Sequence, residues 1–207
     1  ILVTGGAGQV GSHVAELLSA RGDQVVCLDN LATGRESHVR VSDNLSFLNG
    51  SIVDPSVFNN PFGNNERADV VVHAAASYAD GNAWEEDSRT NILGTINSLR
   101  YAKESNARLI YFQTALCYGL SPTIQPVPLE YPRIPAPTSY GISKTAGEFY
   151  IEQSGVDFVT FRLANIVGPR NLSGPLPIFY KRISAGEKCV ITSAKRDFID
   201  VRNLATV

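Results

Sequence analysis

The sequence predicts an α/β fold, a doubly wound parallel sheet with helices on both faces. Three observations carry that expectation. Short apolar runs alternate with amphipathic stretches along the chain, the pattern of repeated βαβ units. Several of the runs are near-continuous Val, Ile, Leu and Phe, as expected of strands covered on both faces. The first run passes directly into a glycine-rich turn followed by a helical period.

Strands are predicted at 1–4, 24–28, 45–48, 69–73, 108–113 and 157–162, and helices at 9–21, from Pro55 for a short stretch, at 84–105 and at 139–154. Gly22 reads as the C-cap of the first helix, because glycine enters the left-handed region without a Cβ penalty. Asp54 reads as an N-cap, with Pro55 at the first helical position where a missing N–H costs nothing. Residues 122–137 hold six prolines and predict an irregular loop over the strand ends. There is no internal repeat and no low-complexity tract.

Composition excludes several classes. Apolar residues make up 43% and charged residues 18%, which reads as globular. A net charge of −2 offers no electrostatic basis for binding nucleic acid or an anionic membrane. No apolar run approaches the ~20 residues of a spanning helix, and Ile1–Gly5 lacks the basic flank of a signal peptide. Cys27, Cys117 and Cys189 are far apart without metal-ligand spacing, so they read as reduced core residues of a cytoplasmic protein, with no metal site expected. The chain has no methionine, opens inside an apolar run and stops without a helix-stop signal, so both ends read as cut.

The first turn reads Thr4-Gly5-Gly6-Ala7-Gly8-Gln9-Val10-Gly11. Such a pattern alone is weak; between a strand and a helix it points to a pyrophosphate cradle. Glycine lets the backbone approach the phosphates, and the helix N-terminus offers unpaired N–H donors. Asp29 ends the second strand, 18 residues after Gly11. A carboxylate there accepts from ribose hydroxyls and repels a 2′-phosphate, which favours NAD over NADP. The competing account is a tight structural turn beside a solvated aspartate.

Tyr140 and Lys144 are four residues apart, on one face of a predicted helix. A free phenol has a pKa near ~10, and a nearby ammonium is expected to pull it toward working pH so that Tyr140 can serve as a base. The spacing alone is weak. Ahead of it, Thr114 follows a strand, where ligands gather in an open parallel sheet. Its hydroxyl is placed to hydrogen-bond a reacting oxygen; the alternative is local backbone capping.

These residues carry a resemblance. The chain is similar to the extended short-chain dehydrogenase/reductases, in particular the NAD-dependent nucleotide-sugar epimerase/dehydratase family, and most resembles bacterial UDP-sugar epimerases of polysaccharide biosynthesis. The shared motifs are T-G-G-A-G-x-x-G-S-H, D-N-L, H-A-A-A, N-x-x-G-T, T-A-x-x-Y-G, Y-x-x-S-K, R-x-x-N and R-D-F, spread over essentially the whole chain. The resemblance implies a Rossmann-type domain over 1–167 and the start of a smaller C-terminal substrate lobe over 168–207. It implies Tyr140 as catalytic base, Lys144 on the nicotinamide ribose, and Thr114 on the substrate hydroxyl. Gly5, Gly8, Gln9, Val10 and Gly11 would hold the pyrophosphate, and Asp29 and Asn30 the adenosine ribose. Ala74, Ala75 and Ala76 would line the cofactor, with Asn91 supporting that side. Asn165 and Arg196 would contact the substrate diphosphate, where an arginine fork pairs with two oxygens.

One position departs from the pattern. Ser51, beside Ile52, stands where relatives carry an aspartate for the adenine amine, so its hydroxyl would be a weaker replacement. His73 ends an apolar strand and reads as structural rather than as a base. The expected reaction is epimerisation of a nucleotide-diphosphate sugar at C4 of a UDP-hexose or UDP-hexuronate. The alternatives are a nucleotide-sugar 4,6-dehydratase and a non-catalytic NAD-binding regulatory protein. Ala115 and Leu116 stand where dehydratases carry an aspartate–glutamate pair, which speaks for the epimerase. The expected partners are the sugar nucleotide and, at most, a second copy in a homodimer.

Overall fold

Each predicted strand forms within one residue of its expected bounds in the computed structural model, which describes residues 1–78, 82–193 and 195–207. The strands are β1 (Leu2–Thr4), β2 (Val25–Asp29), β3 (Leu45–Asn49), β4 (Val70–His73), β5 (Arg108–Thr114) and β6 (Phe158–Leu163). They make one parallel sheet in the order β3-β2-β1-β4-β5-β6. Successive side chains of a strand face opposite ways, which builds two cores. Leu2, Leu28, Val71 and Leu109 pack with Tyr101 and Ile151 on one face. Val3, Cys27 and Val72 pack with Val14 and Ala15 on the other. Leu109 is fully buried, so its truncation to alanine should cost about 2–5 kcal/mol.

Helix α1 (Gln9–Arg21) ends at Gly22, whose φ of 100° is the left-handed cap expected. Asp54 caps a single 3₁₀ turn over Pro55–Phe58 by accepting from the Ser56 N–H at 2.9 Å. The predicted helix 84–105 forms in three pieces: α2 (Trp84–Asp87), a π-helical stretch over Ser88–Gly94, and α3 (Thr95–Glu104). Helix α4 (Ser139–Glu152) starts at Thr138, whose side chain accepts from the Gly141 N–H at 3.0 Å.

After β6 the chain adds β7 (Asn165–Val167), α5 (Pro175–Ser184), β8 (Phe198–Asp200) and α6 (Val201–Ala205), with β7 and β8 paired in parallel as a second small sheet. The sequence signals did not reveal these. Pro175 and Pro177 look like helix breakers, yet both sit in the first turn of α5, where no intrahelical N–H is needed. Helix α6 packs against α1, with Val201 and Leu204 buried. Cys27 and Cys117 are buried as expected, whereas Cys189 is half-buried; all three are free thiols. Among the described residues no helix is long and apolar enough to cross a membrane.

Strand order reverses between β1 and β4. The crossovers leave those two neighbours for opposite sides of the sheet, so a crevice opens beyond their carboxyl ends.

Candidate active site

A cavity of about 560 Å³ fills that crevice, walled by the Gly5–Gly11 loop, Asp29, Ala74–Ala76, Thr114 and Tyr140. The loop is tight for steric reasons. Gly5 has φ 69°, and a Cβ there would lie 2.6 Å from the Ala75 nitrogen. A Cβ on Gly11 would fall on the Gly5 carbonyl. Gly8 differs: its Cβ would meet only the Gly5 oxygen, at 3.2 Å. It is the N-cap of α1 and has no side chain to satisfy the first-turn N–H groups. No acidic residue occupies that turn, so the positive end of the helix dipole faces the cavity through Gly8, Gln9, Val10 and Gly11.

Asp29 is held by two backbone donors, Ala7 N–H at 3.0 Å and Leu31 N–H at 2.8 Å, one on each carboxylate oxygen. A carboxylate oxygen can accept more than one hydrogen bond, and Asp29 lies on the cavity wall. Asn30, Ser51 and Ile52 line the same end; Ser51 Oγ accepts from Val53 N–H at 3.3 Å. These features fit a dinucleotide: a side-chain-free phosphate cradle and a fixed acceptor for a diol.

At the other end, Thr114 closes β5 and Tyr140 lies in the first turn of α4. Thr114 Oγ1 accepts from the Leu116 N–H at 3.3 Å, which leaves its hydroxyl proton to face the neighbouring Tyr140 phenol. Burial pushes the Tyr140 phenol up to about 12, the Thr114 hydroxyl working against the rise and Tyr78 and Asp87 adding to it. Lys144, one turn further along α4, lies behind the cavity wall. It is 2% exposed, its ammonium sits 3.9 Å from the centroid of the Tyr111 ring, and burial lowers it to about 7 against the raising effect of Glu148. Without cofactor the enclosed pocket disfavours both charges, and each group moves toward its neutral form.

The remaining expected site residues are distributed unevenly. Asn91 is buried off the cavity wall. Its side-chain oxygen accepts from Ser77 N–H, while its amide donates to Ser77 O and to Ser143 Oγ, at 2.9, 2.9 and 3.0 Å. It braces the wall from behind. Asn165 lines the cavity and donates to the Asp197 carbonyl through both backbone and side chain. Arg196, next to that carbonyl, is exposed and not on the cavity wall.

His73 is structural. Thr95 donates its hydroxyl proton to Asn91 O at 2.7 Å, so His73 Nε2 must donate to Thr95 at 2.9 Å, and Nδ1 accepts from Thr4 at 2.7 Å. This order requires a neutral ring, and burial, with the Lys144 charge adding, lowers its pKa to about 3.

Residues missed in the sequence include Ser77 and Tyr78, both on the cavity wall. Ser77 Oγ donates to Asp87 at 2.6 Å, and the Tyr78 ring meets Tyr140 edge-on at 6.2 Å. Their signal was their position, continuing the Ala74–Ala76 run. Gln113 was also passed over, and Glu148, which the sequence offers only as a stand-in proton-transfer group one turn beyond Lys144, is 1% exposed. Among the described residues no group of three His, Cys, Asp or Glu side chains could hold a metal.

Residues 1–207 match the family model described as the NAD dependent epimerase/dehydratase family. The chain is 32% identical to a putative UDP-glucose 4-epimerase of Methanocaldococcus jannaschii, over 99% of this chain and 70% of that protein. It is 32% identical to UDP-glucuronic acid decarboxylase 1 of Xenopus tropicalis, over 82% of this chain but 42% of that protein. Among solved structures, WbmH of Bordetella bronchiseptica in complex with NAD+ has TM-score 0.94 and 55% identity, over 99% of this chain and 68% of WbmH. WbmG of the same organism, in complex with NAD and UDP, has TM-score 0.91 and 43% identity, over 99% of this chain and 66% of WbmG. On the sheet order, the glycine cradle, the Thr114/Tyr140/Lys144 set and a match along its whole length, the chain belongs to the NAD dependent epimerase/dehydratase family.

Proposed function

We propose that the protein epimerises a nucleotide-diphosphate sugar, at C4 of a UDP-hexose or UDP-hexuronate, through a transient keto sugar. The observation that carries this is a cavity with the Gly5–Gly11 cradle at one end and Thr114 and Tyr140 together on its wall at the other. Relatives named as a UDP-glucose 4-epimerase and as NAD complexes support it. NAD, when bound, supplies a reversible hydride acceptor. The loop and α1 N-terminus would hold its pyrophosphate, Asp29 its adenosine ribose and Lys144 its nicotinamide ribose. As the phenolate, Tyr140 would take the proton from the sugar hydroxyl and later return it, with Thr114 donating to the phenolate oxygen and so lowering the cost of that charge. Residues 1–167 would carry the cofactor, and 168–207 would begin the part that grips the sugar nucleotide.

Dehydration and decarboxylation are disfavoured by the residues around Thr114. Ala115 and Leu116 follow it and cannot transfer protons. Cys117 is fully buried, and burial pushes its thiol up to about 11. Glu148 is committed to Arg162 at 2.9 Å. The test is proton NMR of the full-length protein with UDP-glucose, UDP-N-acetylglucosamine and UDP-glucuronate. Interconversion of gluco and galacto signals is expected; a C6 methyl doublet or release of carbon dioxide would overturn the assignment. Tyr140→Phe should abolish that turnover and leave NAD affinity nearly unchanged.

A further inference from the structure

Behind Thr114 and Lys144 lies a buried polar cluster with no part in the steps above. Its centre is the Gln113 amide, 2% exposed. Gln113 Oε1 accepts from the Thr114 N–H at 2.8 Å. Its Nε2 donates to the Lys144 carbonyl at 3.0 Å and to Glu148 at 2.9 Å. One side chain thus ties the end of β5 to the turn of α4 that carries Lys144. The amide can sit only one way round. Flipping it would set its NH₂ against the Thr114 N–H and its oxygen against a carbonyl and a carboxylate.

Glu148, 1% exposed, enforces that orientation. Its other oxygen takes Arg162 Nε at 3.0 Å and Nη2 at 2.9 Å. Arg133 approaches at 3.4 Å and is fixed on Glu152 by two bonds at 2.6 and 2.9 Å. Arg162 also donates to the Tyr118 hydroxyl at 2.8 Å and the Leu129 carbonyl at 3.0 Å, pinning the proline-rich segment to the sheet edge. Burying an ion pair is rarely a net gain in stability over a well-packed apolar pair. A buried charge here therefore calls for a geometric reason.

We infer that Glu148 is a positioning residue: locked by Arg162, it orients the Gln113 amide that holds Thr114 and Lys144 in register and anchors the segment 122–137 beside them. The inference rests on the proposed reaction for its kinetic consequence. Glu148→Gln isolates it. With its oxygen kept on Arg162, the new amide NH₂ faces the Gln113 NH₂, donor against donor. Gln113 must turn or withdraw, and Thr114 loses its anchor.

Charge provides a second readout. The titratable or charged groups around Lys144 are Tyr140 and Glu148 on its own helix, Tyr111 on β5 and His73 on β4. Glu148 is the one that raises its pKa, so neutralising it must lower the Lys144 midpoint further below about 7.

The experiment uses the full-length protein with Glu148→Gln and Gln113→Met, the latter near-isosteric and changing no charge. Calorimetry gives NAD affinity, UDP-hexose turnover gives kcat, and carbon-13 lysine NMR without cofactor follows the Lys144 titration. Both variants should bind NAD within a few-fold of wild type and lose about 10- to 100-fold in kcat, the scale of a small misplacement of reacting groups. Only Glu148→Gln should move the Lys144 midpoint, downward. Wild-type kcat in Gln113→Met, or an unshifted Lys144 in a folded Glu148→Gln, overturns the inference; so does a kcat loss that merely tracks lost NAD affinity. If the wild-type protein turns over no nucleotide sugar, the proposed reaction fails, while the Lys144 titration still decides what Glu148 does.

Discussion

Replacing two glycines of one loop by alanine should have opposite consequences. At Gly11 the new Cβ falls on the Gly5 carbonyl, 2.8 Å from its carbon and 3.0 Å from Gly6 Cα. These are backbone atoms, and they cannot retreat freely: Gly5 N–H donates to Leu28 O at 2.8 Å and Gly5 O accepts from Gly8 N–H at 3.0 Å. Alanine inside a helix is worth about 1 kcal/mol over glycine. Overpacking against fixed atoms costs about 1–3 kcal/mol, and a backbone clash belongs at the upper end. The net loss is then about 2 kcal/mol, or roughly 4–8 °C in Tm for a domain of this size. At Gly8 the Cβ meets one oxygen at 3.2 Å and otherwise faces the cavity. The fold should lose no more than about 1 kcal/mol, the scale of an unfavourable N-cap, while NAD affinity falls at least about tenfold, 1.4 kcal/mol. Scanning calorimetry without cofactor and titration calorimetry with NAD separate the two. A Gly11→Ala protein melting like wild type would show that the close approach is not what requires glycine there. A Gly8→Ala protein binding NAD like wild type would remove the phosphates from the loop.

Asp29→Ala should narrow the preference for NAD over NADP, because the carboxylate fixed by Ala7 and Leu31 is the group that a 2′-phosphate would meet; equal affinities in the unmutated protein would contradict this. His73 is neutral when folded, with a pKa near 3, so below about pH 6.5 the unfolded chain binds the extra proton. Its contribution to stability is intact above about pH 6.5 and should be lost progressively as the pH falls toward 3. Urea unfolding across that range should show His73→Gln with a shallower decline, and an equal slope in both proteins would refute the buried neutral ring. Lys144 has the same sign at higher pH: its folded pKa near 7 lies below the unfolded value, so stability without cofactor should rise from about pH 7 toward 10.5. Lys144→Met should flatten that rise; a wild-type curve already flat from pH 7 to 9 would mean that the ammonium is not desolvated.

The six strands, α1 with its Gly22 cap and the glycine cradle were legible in the sequence because local rules govern them. Strands buried on both faces are continuous apolar runs, and a glycine in a tight turn marks a place where no Cβ fits. The positions of Thr114 and Asp29 followed from strand ends in a parallel sheet, and that of Tyr140 from its helical spacing to Lys144. What the sequence could not provide was how groups distant along the chain respond to one another. The spacing of Tyr140 and Lys144 suggested an ammonium easing a phenolate, but shared burial sends the phenol to about 12 and the amine to about 7. Desolvation depends on what encloses a group, not on its neighbours in sequence. The π-helical stretch that turns Asn91 toward Ser77 and Ser143 leaves no trace in hydrophobic period, since one widened turn changes the hydrogen-bond ladder and not the composition. The links from Gln113 to Lys144 and from Arg162 to Glu148 span 31 and 14 residues. They exist only because β5, β6 and α4 are packed side by side, and that packing is a property of the whole fold.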